Sequence, residues 1–170
     1  MKASQRDFPG MAARAASEAR VFFFCGPDEA GASDAAERIL SLLAEPGERI
    51  ELSGGDLKRD PVRLGDEARS TSLFGGERHI YVRASGDEVH DAVANRLDGE
   101  GEACPVLIVA SSATDKSRTA KLLEGKPNAL VTMFYPPDLR QVASAVRDMA
   151  GAAGLRLGDD MAARIARAAG

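Results

Sequence analysis

Five short apolar runs punctuate the chain: 21–25 (VFFFC), 49–52 (RIEL), 79–82 (HIYV), 105–110 (PVLIVA) and 129–134 (ALVTMF). Each has the length of a strand and is rich in β-branched or aromatic residues, which suit a pleated, half-buried surface. The first and fourth are apolar almost throughout. That pattern predicts central strands of a parallel sheet, covered on both faces.

Helical spacing fills the intervals. Residues 33–43 (SDAAERILSLL) put Ala36, Ile39, Leu40 and Leu43 on one face. Residues 88–97 do the same with Val89, Ala92, Val93 and Leu97, and 115–123 bring Ala120 together with Leu123, with Leu122 nearby. Asp60-Pro61 predicts a helix start, because Asp caps and Pro suits the first turn. The Ala-rich stretch 11–18 predicts one more helix ahead of the first strand. Strand alternating with helix in this way predicts the α/β class, with a mostly parallel five-stranded sheet flanked by helices.

The pattern changes after Phe134. Tyr135-Pro136-Pro137-Asp138 reads as a stop followed by a cap. Leu139, Val142, Ala143, Val146 and Met149 then form a helical stripe, closed by Gly151 and Gly154. A second helix begins near Asp159 with Met161, Ile165 and Ala168 on its face. This divides the chain into an α/β domain, 1–136, and the opening of a helical domain, 137–170. Two helices with apolar faces and no strand are an unfinished unit, so the expectation is a fragment of a longer protein.

Composition narrows the class. At 44% hydrophobic and 28% charged, the chain reads as soluble and globular. Its longest apolar runs are far short of the ~20 residues a membrane span needs. A formal net charge of −4 argues against a large phosphate-neutralising surface. Cys25 and Cys104 match no metal spacing and read as buried free thiols in a reducing cytosol, which predicts a cytoplasmic protein.

The candidate chemistry centres on GPDEAGAS, residues 26–33. Gly26, Gly31 and Ser33 occupy three of the four fixed positions of the phosphate-loop pattern G-x-x-x-x-G-K-[ST], and the context of strand, loop and helix is right. Ala32 stands where the lysine belongs. Such a loop cradles phosphates with backbone N–H groups and a helix N-terminus, while the lysine reaches the β and γ phosphates. Ala32 supplies no cation, and Asp28 and Glu29 add negative charge. The magnesium-binding acids expected at a strand end are also missing: Arg83-Ala84 follow the third run, and Ala110-Ser111-Ser112 end the fourth. No ATP hydrolysis, catalytic residue, cofactor or metal is therefore expected. The alternative is a nucleotide-binding P-loop enzyme with a divergent loop.

Other catalytic arrangements find little support. His79 lies within a strand and His90 on a helix, without partners at a motif spacing. Asp56, Asp60, Asp66 and Glu67 read as a solvated helix face. Lys116, Arg118 and Lys121 read the same way, with a phosphate contact as the lesser alternative.

Several stretches in order carry a resemblance: VFFFCGPDEA, STSLFGGERHIYV, PVLIVASSATDKS and ALVTMFYPPDLRQVASAVRDMAGAAGLRLGDD. In their order and spacing the chain resembles the delta-subunit family of the bacterial DNA polymerase III clamp loader. The resemblance implies an AAA+-like domain with a degenerate P-loop over 1–136 and a partial helical lid over 137–170. It implies a subunit that binds and helps open the sliding clamp (the beta subunit) for loading onto primed DNA. Such a subunit does not itself hydrolyse ATP, though it belongs to the DNA polymerase III holoenzyme, a nucleotidyltransferase complex. Other loader subunits would be partners, mainly through C-terminal regions beyond this chain, and DNA an indirect one. The clamp-binding element maps onto Ser72, Leu73 and Phe74, with Thr71 where an apolar residue is common in the family. On the residues alone, Leu73 and Phe74 read either as packing on the domain's own core or as a protruding anchor; the resemblance favours the anchor. A delta-prime-like subunit is disfavoured, because neither zinc-binding cysteines nor a Ser-Arg-Cys motif is present.

Overall fold

A computed structural model describes residues 1–72, 75–152 and 159–169. The chain divides into two compact units, Met1–Tyr135 and Pro136–Gly170.

The first unit is built on β2 (Val21–Cys25), the run VFFFC. Alternation along this strand sends Val21, Phe23 and Cys25 into one apolar cluster and Phe22 and Phe24 into another. All five residues are buried, so the strand is covered on both faces. The others are β1 (Lys2–Ala3), β3 (Glu48–Ser53), β4 (Arg78–Ala84), β5 (Val106–Ala110) and β6 (Ala129–Met133). They lie in the order β1-β6-β2-β5-β4-β3, and every pairing is parallel. The sheet thus has six strands, one more than the sequence pattern predicts. The extra strand is the two-residue β1, too short for any periodic signal and held by pairing with Val131 and Thr132 of β6.

Helices α1 (Phe8–Glu18) and α2 (Glu29–Leu42) supply Phe8, Ala12, Ala36 and Ile39 to the cluster around Phe22 and Phe24. Phe8, Phe24 and Phe134 meet there edge to face, with ring centroids 5.5–6.0 Å apart. The opposite face carries α3 (Gly54–Arg59), α4 (Arg63–Arg69), α5 (His90–Asp98) and α6 (Arg118–Glu124). These bury Leu57, Leu64, Val93 and Leu123 against Phe23, Ile80 and Ile108.

Several boundaries differ from the sequence pattern. Asp60 closes α3 as its C-cap rather than opening a helix, and α4 begins at Arg63 behind Val62 with no side-chain cap. α6 begins at Arg118 rather than 115, because the Ser117 hydroxyl accepts the Ala120 amide.

The second unit consists of α7 (Leu139–Ala152) and α8 (Asp159–Ala169). Asp138 and Gln141 cap α7 reciprocally, at 2.7 and 3.1 Å. α7 runs through Gly151, so that glycine does not end it. Buried Ala143 and Ala166 form the small apolar contact of this unit, with Val142 beside them, whereas Met149, Met161 and Ile165 are exposed.

Candidate functional site

All strands being parallel, their C-terminal ends share one side of the sheet. α/β proteins bind ligands on that side, where strand order reverses. β2 stands between β5 and β6, and the connection from β5 to β6 crosses over it. The loop after β2 therefore occupies the expected ligand position.

The hydrogen bonds of that loop turn inward. Gly26 N–H donates to the Ala113 carbonyl at 3.0 Å, and Asp28 N–H to the Phe134 carbonyl at 3.3 Å. Asp28 caps α2: its carboxylate accepts Gly31 N–H at 3.1 Å, and its carbonyl accepts Ala32 N–H at 3.0 Å. A phosphate at this helix N-terminus would compete with a carboxylate already in place. The two glycines have local reasons. Gly26 has φ +108°, and an added Cβ would sit 2.2 Å from the Phe134 carbonyl oxygen. A Cβ at Gly31 would sit 2.3 Å from the Asp28 carboxylate. Ala32 is fully buried in the cluster with Phe22, Phe24 and Phe134. Ser33, one residue on, is half-buried.

The acids nearest the end of β4 also serve the fold. Glu88 accepts from the Ser85 amide, the Ser85 hydroxyl and the Gly86 amide at 2.6–2.9 Å. Asp87 accepts from the Arg118 and Thr119 amides and the Thr119 hydroxyl at 2.7–3.0 Å, capping α6 from a distant part of the chain. Burial pushes Asp87 up, but the bonds from Thr119 and Arg118 outweigh it and hold the carboxyl below its ordinary value. Sequence reasoning missed both roles, because an acid that caps a helix some thirty residues away leaves no local signature.

Beside the loop lies an open, mostly apolar groove of about 340 Å³, lined by Phe8, Ala35 and Phe134, with Asp34 and Arg38 as its charged members. Among the described residues no three His, Cys, Asp or Glu are grouped to hold a metal ion. Cys25 is buried, with its thiol pushed up to about 12 by desolvation. Cys104 is half-buried, less covered than the sequence suggested. His79 is fixed in the sheet: Arg49 Nε donates to its Nε2 at 3.3 Å, leaving Nδ1–H to donate to the Pro46 carbonyl at 2.7 Å. Lys116, Arg118 and Lys121 are exposed, as a solvated face requires.

The second candidate, 72–74, falls in the sequence between α4 and β4. Leu73 and Phe74 lie outside the described residues. Their flanks are firmly held. Arg78, buried at the start of β4, donates to the Ser70 carbonyl at 3.1 Å and pairs with Glu67 at 3.0 Å. On the other side, the Glu48 amide donates to the Glu77 carbonyl at 3.0 Å. The Ser72 hydroxyl donates to Glu48 at 3.4 Å, and the Gly75 amide donates to the Ser72 carbonyl at 3.3 Å. Gly75 and Gly76 take φ +71° and +95° with open space around them.

Comparison with solved structures identifies this architecture. The Bacillus subtilis DNA clamp loader delta protein YqeN superposes with a TM-score of 0.59 at 12% identity, over 94% of this chain and 51% of that one. The chain shares its α/β fold, a parallel sheet flanked by helices, with that protein. The same fold aligns with a point variant of Thermotoga maritima RuvB, at TM-score 0.53 and 14% identity, over 95% of this chain and 54% of RuvB. A second structure, the Thermotoga maritima RuvB Holliday junction branch migration motor, gives 0.53 at 15% identity, over 95% and 55% of the two chains. The chain thus spans about half the length of each neighbour. No family model matches the sequence, and no curated protein matches it. Among the described residues, no helix is long and apolar enough to cross a membrane.

Proposed function

We propose that this chain is the clamp-binding AAA+-like module of a clamp-loader delta subunit. It engages the sliding clamp through Ser72, Leu73 and Phe74 and leaves ATP to other subunits of the loader. The observation that carries this reading is the loop after β2. In a fold shared with a clamp loader delta protein, that loop donates its Gly26, Asp28, Gly31 and Ala32 amides internally, has its helix N-terminus capped by Asp28, and has its lysine position filled by buried Ala32. A degenerate P-loop is what a loader subunit without its own ATPase would carry.

The anchored flanks of 70–77 support the partner-binding role. Ser70 is held by Arg78 and Glu77 by Glu48, so these two described positions need little further ordering on docking. Two large apolar side chains gain about 1.5–3 kcal/mol each when buried in a partner pocket, before ordering costs. Calorimetry with the cognate sliding clamp tests this. Leu73→Ala/Phe74→Ala should weaken binding by about 2–4 kcal/mol, roughly 30- to 1,000-fold. Wild-type affinity in the double variant refutes the assignment.

A further inference from the structure

Arginines gather at the N-terminal ends of the strands. Arg78 opens β4, Arg69 ends α4 and Arg96 lies in the last turn of α5. Arg78 and Arg96 are only 9% and 8% exposed. Arg78 has Glu67 as its carboxylate partner. Arg69 donates to the backbone carbonyl of Arg96 at 3.0 Å, packed so close to Gly99 that an added Cβ there would meet its guanidinium. The Arg96 side chain donates no hydrogen bond and enters no ion pair among the described residues, and the Nε–H groups of Arg69, Arg78 and Arg96 are all buried without a protein acceptor. Burial first, then repulsion from Arg69, holds Arg96 below its ordinary value.

Three arginines elsewhere have local carboxylates: Arg14 has Glu18, Arg49 has Glu37, and Arg59 has Asp56. In this cluster, Arg78 pairs with Glu67, and neither Arg69 nor Arg96 enters an ion pair among the described residues. The C-terminal ends of α4 and α5 offset part of the charge, which accounts for Arg69. They offer no acceptor to the buried Nε–H groups. A buried guanidinium without an opposite charge is strongly disfavoured.

We propose that Arg69, Arg78 and Arg96 form a binding site for a phosphate-class oxyanion beside the start of β4. A tetrahedral dianion presents several acceptor oxygens to planar guanidinium forks and neutralises more than one positive charge. The site is separate from the loop after β2 and does not depend on clamp binding.

Thermal unfolding with inorganic phosphate, against sodium chloride at matched ionic strength, tests it. Phosphate should raise Tm in proportion to the logarithm of its concentration above the dissociation constant, by about 5–10 °C at a hundredfold excess. Arg96→Gln should abolish the rise, while Arg118→Gln, on the exposed face of α6, should keep it. Should Arg96→Gln fail to fold, the partly exposed Arg69→Gln serves instead, with at least a tenfold loss of phosphate affinity expected. A phosphate response equal to that of chloride, or an undiminished response in the Arg69 variant, overturns the proposal.

Discussion

Restoring the missing lysine is the sharpest test of how the loop after β2 is built. Ala32 has no exposed surface and sits among Phe22, Phe24 and Phe134. In Ala32→Lys, forcing extra methylenes into that cluster costs about 1–3 kcal/mol. An ammonium held there without a partner adds several kcal/mol, eased where the long stem reaches solvent. The N-terminal turn of α2 disfavours a cation by a further ~0.3–1 kcal/mol. Together these give a destabilisation of about 3–6 kcal/mol, or a Tm about 10–20 °C lower for a chain of this size. Ala32→Leu isolates the packing part and should cost about 1–3 kcal/mol. Urea unfolding followed by circular dichroism measures both, and a thermal scan with magnesium-ATP measures nucleotide binding. The reasoning predicts no ATP-dependent rise in Tm in either protein, because Asp28 still caps α2. An Ala32→Lys protein as stable as wild type and stabilised by magnesium-ATP refutes it and revives the nucleotide-enzyme alternative.

Three further outcomes follow from the same packing. Gly26→Ala should lose about 2–4 kcal/mol in chemical denaturation, from a strained φ and the clash with the Phe134 carbonyl; Gly75→Ala, with open space around it, should lose only about 1–2 kcal/mol. Asp87→Asn should cost about 1–2 kcal/mol at neutral pH through the weakened cap on α6. The folded-state pKa of Asp87 lies below its unfolded value, so its stabilisation is present above the unfolded carboxylate range and lost as pH falls through the folded pKa. Wild-type and Asp87→Asn unfolding curves should therefore converge in acid; a constant gap across pH argues against the cap. In thiol labelling at pH 8, Cys25, with its thiol pushed up to about 12, should react only on unfolding, and half-buried Cys104 should react first; native-state labelling of Cys25 contradicts its burial.

The strands were the most legible part of this protein. A strand covered on both faces needs apolar residues at every position, and VFFFC and VLIVA announce this without reference to anything distant. The helices that flank them were legible for a related reason, since a helix buries one stripe and its period is local. α3 was not, because two of its six residues are glycine; the Ser53 cap and the burial of Leu57 hold it. Met161 and Ile165 read as an apolar stripe of α8, yet the contact within the unit is made by Ala166 against Ala143. Periodicity identifies a face but not which of its residues a neighbouring helix reaches.

The candidate sites divide in the same way. The sequence alone determined that the frame of 26–33 lacks its lysine and that Leu73-Phe74 is an apolar pair between polar neighbours and glycines. Only the tertiary structure decided where the loop's amides point, what caps α2, and that Asp87 and Glu88 serve the fold. The same holds for Arg69, Arg78 and Arg96, which come from three separate elements. Side-chain periodicity is written along a few neighbouring residues. The partner of a loop amide or a buried charge comes from wherever the fold brings the chain back, and no local pattern encodes that return.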